Sequence, residues 1–337
     1  MNWCKTVDIE PTLSTAVAND RNHVIALYAL HLAQGETLLC RSIKSGTIER
    51  YLQAAAKLST ARHLMDPRLD IYGKTSEHIK KVIREQKRWE DMPNRREPVT
   101  AKMIEEMWKI CKDLDQDSFE CAILDWNILG RYYGFRLSEW AQNEENNRNF
   151  PLLAIDGTPL AFTFDDFQFE GRGNRCLRQS FSESLSEEDV VNVEVRFRYQ
   201  KNLDNGQKIK QTKNDANSKF CSVRAAARIR ARARRLNSSA KETLAKFKDK
   251  SGKVLDITNK MIAKHLQACA KRAHGIRCRR ALARWSAHSV RVGACVSLSE
   301  AGKDSPFIQI RLRWRSLAFR DYLRNTITLA QQHNEAI

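Results

Sequence analysis

VVNVEVRFRYQKNLDNGQKIKQTK, residues 190–213, decides the class of fold. Val191, Val193, Val195, Phe197 and Tyr199 alternate with polar residues, a period of two that lays them on one face of a strand. Asn205-Gly206 then offers the two-residue turn chemistry of a hairpin, and QKIKQTK runs back as a polar return strand. LAFTFDDFQF, residues 160–169, alternates in the same way. Outside this region the apolar spacing is helical. The chain is therefore expected to be mainly α with a small antiparallel β-sheet, an α+β protein.

Three helices precede the hairpin region at a distance. NDRNHVIALYALHLAQ places Val24, Ile25, Leu27, Tyr28, Leu30 and Leu32 without a strand's alternation. SGTIERYLQAAAKL can start at Thr47 as N-cap, with Ile48, Tyr51, Leu52 and Ala55 on one face. SEHIKKVIREQKRWEDM sets Ile79, Val82, Ile83, Gln86 and Trp89 at helical spacing. MPNRREPV follows, with Pro93 and Pro98 bracketing a charged run, and prolines break helices. The boundary is expected there: a helical domain over 1–95 and a mixed domain over 96–337. In the second, PVTAKMIEEMWKICKDL begins a helix with Thr100 as cap, and FECAILDWNILGRYYGFRLSEWAQ reads as a largely buried one.

Composition limits the classes of function. The chain has 337 residues, 42% hydrophobic and 29% charged, enough for two cores. No apolar run approaches a membrane span, and MNWCKTVDIEPTL lacks the pattern of a signal peptide. Nine cysteines without a CxxC pair suggest reduced thiols and an intracellular protein. The formal charge is +18, and Arg196–Arg235 holds 13 Lys and Arg against Asp204 and Asp215. Such an excess attracts a polyanion, most often nucleic acid. SVRAAARIRARARRL, 222–236, is its core, readable as a phosphate-tracking helix, a nuclear address or a solvated face.

Several residues stand out, each with a plain structural reading beside it. Arg136, in an aromatic setting of Tyr132, Tyr133, Phe135 and Trp140, needs a partner if buried, and Glu139 is three residues on. Lys201 falls on the apolar side of the strand by alternation, or is a solvated turn lysine. His288 and Arg291 share one helix face in WSAHSVRVG, 285–293. Trp314 and Tyr322, in RWRSLAFRDY, could both be core aromatics. His265, Cys269, His274 and Cys278 are ligand types at a spacing unusual for zinc.

Read together, GFRLSE, the hairpin with QKN, SAHSVRVGA and RWRSLAFRDYLR resemble the tyrosine recombinases, the phage-integrase family. The last two blocks are most like the recombinases of crypton-type eukaryotic mobile elements. The resemblance spans the chain and is architectural only before residue 95. It implies a helical core-binding (SAM-like) DNA-binding domain followed by the catalytic domain. The implied activity is site-specific DNA recombination or integration, with strands cut and rejoined through a 3′-phosphotyrosyl bond on Tyr322. Arg136 and Arg291 are implied to bind the scissile phosphate, and Glu139 to support Arg136. His288 is implied to stabilise the phosphate or assist proton transfer, and Trp314 to contact a non-bridging oxygen. Lys201 is implied to protonate the departing 5′-oxygen, with Lys208, Lys210 and Lys213 of the same hairpin as alternatives. The residue types suit the chemistry: phenolate as nucleophile and leaving group, guanidinium against phosphate oxygens, lysine or histidine for protons. No metal or other cofactor is implied. Double-stranded DNA is the implied partner, with a homotetramer assembled on it, and a C-terminal tail that often packs on a neighbouring protomer. No membrane association is implied, and a eukaryotic host would place the protein in the nucleus. Two alternatives stay open at this point: a catalytically silent DNA-binding relative, and a relaxing enzyme of the type IB topoisomerase class.

Overall fold

A computed structural model of the chain describes residues 16–35, 42–62, 64–91, 95–145, 148–150, 153–154, 156–174, 176–177, 185–200 and 204–323, with a few isolated positions near the termini. For 143–145 and 148–150 only the backbone is described. Lys201 and residues 324–333 of the tail lie outside the described residues. The chain forms two compact units, 1–93 and 94–337.

The first unit has three helices, α1 (Ala18–Gln34), α2 (Ser45–Ala61) and α3 (Glu77–Arg88). Ile25, Ala29, Leu32, Ile48, Leu52 and Ile79 are buried between them. The apolar stripes differ from expectation at their edges. Leu27, Leu30 and Tyr51 are exposed, and Trp89 is 82% exposed just past the end of α3. Helix α2 begins before Thr47, with Lys44 at the N-cap, so Thr47 lies inside the first turn. Lys44 gives no side-chain cap, and the Glu90 carboxylate accepts from the Ser45 N–H of the first turn instead.

The second unit wraps helices around the predicted hairpin. In order come α4 (Ala101–Cys111), α5 (Phe119–Tyr133), the single turn α6 (Leu137–Trp140), strands β1 (Asn143–Glu145), β2 (Arg148–Phe150), β3 (Phe167–Glu170), β4 (Asn192–Phe197) and β5 (Gln207–Thr212). Then follow α7 (Ser222–Arg235), β6 (Lys246–Lys248), β7 (Val254–Asp256), α8 (Asn259–His274), α9 (Arg279–Leu282), α10 (His288–Glu300) and α11 (Ser305–Leu312), ending in a 3-10 turn over Leu317–Tyr322. Thr100 caps α4 by accepting from the Met103 N–H at 3.3 Å. β3, β4 and β5 form an antiparallel sheet in that order, with Val195 opposite both Phe167 and Ile209. Val193, Val195 and Phe197 point into the core as alternation requires, whereas Tyr199 lies at its margin and meets the Thr158 hydroxyl at 3.0 Å. The chain is thus mainly α with small antiparallel sheets. Among the described residues no helix is long and apolar enough to cross a membrane.

Helix α7 departs from two of the readings of its sequence. Its arginines are neither a free phosphate-tracking face nor a solvated one. Arg228 and Arg232 both grip Asp125 of α5 at 2.7 Å, and Arg232 and Asp125 are almost fully buried. Arg224 pairs with Glu188 at 2.6 Å and Arg235 with Asp117 at 2.7 Å. The basic helix is a wall of the core, held by carboxylates distant in sequence. Asp125→Asn should therefore cost about 3–5 kcal/mol, because it leaves two guanidinium groups with their shared carboxylate gone. A urea midpoint shift checks this, and DNA affinity of the folded variant should stay unchanged.

Candidate active site

Helix α10 is seated by a close backbone contact. A Cβ on Gly293 would stand 2.5 Å from the Val99 carbonyl oxygen, and Val99 N–H donates to the Ser289 carbonyl at 3.1 Å. The Trp285 indole N–H reaches the Pro98 carbonyl at 3.1 Å. These contacts lock the first turn of α10, from which His288 and Arg291 project on one face into a cavity of about 880 Å³. Arg136, Trp314, Arg96 and Arg315 also line it. Among the described residues the lining carries five arginines and one lysine and no carboxylate. Such a cavity is built to receive an anion.

Arg291 is the most constrained of these cations. It is 2% exposed. Its guanidinium donates to the Gly134 and Leu312 carbonyls and lies over the Trp314 ring, 4.2 Å from the centroid. Gly134 ends α5 at φ 58°, where a side chain would be strained and would also press on Leu312 at 3.2 Å. Burial, then the like charges of Arg136 and Arg313, push the Arg291 guanidinium down to about 9. It remains protonated at neutral pH but short of negative partners.

Arg136 starts the turn α6. Its guanidinium donates to Glu139 at 2.9 Å, and its backbone N–H donates to the same carboxylate at 2.8 Å. The aromatic residues around it, Tyr133, Phe135 and Trp140, are fully buried, with Tyr133 and Phe135 stacked at 5.5 Å. Burial would raise the Glu139 carboxyl, but Arg313 and Arg136 outweigh it and hold the group below its ordinary value. Glu139 is thus an anion that fixes Arg136 at the cavity rim.

Tyr322 ends the 3-10 turn, and its hydroxyl lies 2.9 Å from His288 Nε2. Burial raises the Tyr322 phenol, with Arg291 and Arg95 pulling the other way, so it is protonated at neutral pH. Burial, then the charges of Arg291 and Arg96, lower His288 below its ordinary value of 6.5. A neutral imidazole protonated at Nδ1 can accept the phenolic hydrogen at Nε2. Trp314 packs between Arg291 and Tyr322, 6.2 Å from the tyrosine ring.

On the hairpin, three of the four candidate lysines are engaged elsewhere. Lys208 pairs with Glu194 at 3.0 Å, Lys210 with Glu170 at 2.7 Å and Lys213 with Glu188 at 3.1 Å. Lys201 lies outside the described residues, but its neighbour Gln200 is buried and accepts from Arg313 at 3.0 Å. Among the described residues no group of three or more His, Cys, Asp or Glu is placed to hold a metal ion. His265 is half-buried at the Phe119 ring edge and pushed down to about 4, while His274 meets Thr100 at 3.1 Å.

The six described residues, Arg136, Glu139, His288, Arg291, Trp314 and Tyr322, come together in one unit. Besides Arg96 and Arg315 on the cavity lining, two arginines were not anticipated. Arg313 grips Glu139, and Arg95 holds the Asp321 carbonyl at 2.5 Å beside the tyrosine. In the sequence they are two arginines among many, and only the tertiary fold distinguishes them.

No family model matches the chain, and no curated protein matches it. Among solved structures it is similar to the Tn1549 transposon integrase in complex with transposon right end DNA, at 13% identity over 96% of this chain and 86% of that one, TM-score 0.46. It is also similar to the XerH site-specific recombinase bound to difH substrate in a pre-cleavage complex, at 11% identity over 94% and 96% of the two chains, TM-score 0.37.

Proposed function

We propose that the chain is a DNA strand-transfer enzyme of the tyrosine recombinase type, a site-specific recombinase or integrase. The observation that carries this reading is the Tyr322 hydroxyl hydrogen-bonded to His288 beside a carboxylate-free, arginine-lined cavity. A scissile phosphodiester placed there meets Arg136 and Arg291 at its non-bridging oxygens, with the Trp314 indole alongside. Tyr322 Oη attacks phosphorus as His288 accepts its proton. The bond from phosphorus to the 5′-oxygen breaks, and that oxygen takes a proton from Lys201. The product is a 3′-phosphotyrosyl link, whose reversal by a 5′-hydroxyl rejoins DNA without external energy. The engagement of Lys208, Lys210 and Lys213 in ion pairs, and the anchoring of Gln200 at the site, support Lys201 as the acid. Recombination between two duplexes calls for four protomers on DNA.

The test works on a pool of random targets. Random duplexes are nicked downstream of possible cleavage points so that rejoining fails, and protein-linked DNA is isolated after denaturation and sequenced. Adducts sharing a sequence are the expected result. Tight binding to the same library with no adduct would leave a silent DNA-binding relative as the better account.

The lowered His288 gives the reaction a defined pH response. A protonated imidazole cannot take the phenolic proton, so the rate should hold level down to about pH 6.5 and fall only below it. Folding follows the same sign: the unfolded chain binds the His288 proton first, so this residue's contribution to stability is lost as pH drops below 6.5. Single-turnover adduct formation across pH checks the rate; an acid limb centred above 6.5 would remove His288 as the acceptor.

A further inference from the structure

We propose that Arg313 is a positioning residue that sets Arg136, the hairpin base and Trp314 together, an inference that rests on the strand-transfer reading. Its place in the fold is unusual. Arg313 caps the C-terminus of α11 at φ 58° and ψ 48°, left-handed backbone that disfavours any residue but glycine. Its side chain is nonetheless fully buried. The guanidinium forks onto Glu139, with one terminal nitrogen 2.9 Å from Oε1 and the other 3.1 Å from Oε2. The first nitrogen also donates to Gln200 Oε1 at 3.0 Å, and the second to the Tyr133 carbonyl at 3.1 Å. The Phe197 ring covers the guanidinium plane at 3.4 Å.

All four terminal N–H groups are therefore taken by protein acceptors, and the fifth donor, Nε–H, is buried away from the surface, out of reach of a phosphate oxygen. Arg313 acts through others. Through Glu139 it holds the carboxylate that orients Arg136. Through Gln200 it holds the residue covalently joined to Lys201. Through its own backbone it fixes Trp314, the next residue. Three segments far apart in sequence, 133–139, 200 and 313–314, thus share one guanidinium. A misplacement of about 1 Å in such a site can cost about 100-fold in rate.

Arg313→Lys tests the idea while keeping a positive charge against Glu139. A lysine presents its donors from one point and cannot serve the carboxylate fork, Gln200 and Tyr133 at once. Adduct formation in a single turnover should slow about 100-fold, with duplex affinity changed by less than about threefold and thermal unfolding still cooperative. Gln200→Leu cuts only the hairpin link. Its smaller loss should be recovered on DNA with sulfur in place of the bridging 5′-oxygen, a leaving group that needs no proton. On that substrate Arg313→Lys should recover only in part, because its hold on Arg136 is still broken. A folded Arg313→Lys protein that cleaves at the unaltered rate overturns the proposal. So does Gln200→Leu with no change in rate, which also covers the case in which Arg313→Lys does not fold. If the unaltered protein itself forms no adduct, the strand-transfer reading fails first, and Arg313 has no reaction to position.

Discussion

Tyr322→Phe should eliminate the covalent protein–DNA adduct while leaving duplex affinity within about twofold. The change removes one atom, the hydroxyl oxygen that lies against His288. The cations of the cavity, Arg136, Arg291, Arg96 and Arg315, are untouched, and these supply the attraction for the backbone. The ring still packs on Trp314, and the turn is still held by Arg95 on Asp321. The lost hydrogen bond to His288 costs about 0.5–1.5 kcal/mol of stability, too little to unfold a unit of this size. Recovery of DNA-linked protein from a denaturing gel, for both proteins on the same nicked duplexes, is the measurement. Adducts that persist in the phenylalanine variant would move the nucleophile elsewhere in the chain.

Much of this site is legible in the sequence because its spacing is local. His288 and Arg291 are one helical turn apart, and Arg136 and Glu139 are three residues apart across a single turn. The alternation over 190–199 and the Asn205-Gly206 turn likewise define β4 and β5 from neighbours alone. What the sequence conceals is long-range pairing. Arg228 meets Asp125 from 103 positions away, so the basic run looks like a free surface until α5 and α7 are packed. Arg313 is concealed twice over. Its left-handed backbone falls on a residue type that does not announce one, and its partner Glu139 is 174 positions distant. Trp89 errs in the opposite sense, since helical phase continues past α3 although the helix itself stops at Arg88.

Four of the six arginines of α7 pair with Asp125, Glu188 and Asp117, so much of the charge of that stretch is neutralised within the protein. The cavity lining is different. Its cations lie where a single buried carboxylate, Glu139, is shared between Arg136 and Arg313. On the strand-transfer reading, one phosphodiester supplies the negative charge that complements these cations.

Arg291→Gln turns that deficit into a measurement. Glutamine removes the charge, and with it the strongest neutralisation of the oxygens as charge builds on them during attack. Cleavage should fall about 100- to 1,000-fold, the usual loss for one such donor. Stability should suffer less than for most buried arginines. The Gly134 and Leu312 carbonyls lose their donor, but the burial of a charge and its crowding by Arg136 and Arg313, which together push Arg291 down to about 9, are relieved. The decisive comparison uses DNA with a neutral methylphosphonate at the scissile position. There the oxygen that Arg291 would neutralise carries no charge, so the gap between variant and unaltered protein should shrink to less than about tenfold. An undiminished gap would mean that Arg291 shapes the cavity, through its carbonyl contacts and the Trp314 ring, without neutralising the phosphate. A closed gap would place the missing anion of this carboxylate-free cavity at the phosphorus that Tyr322 attacks.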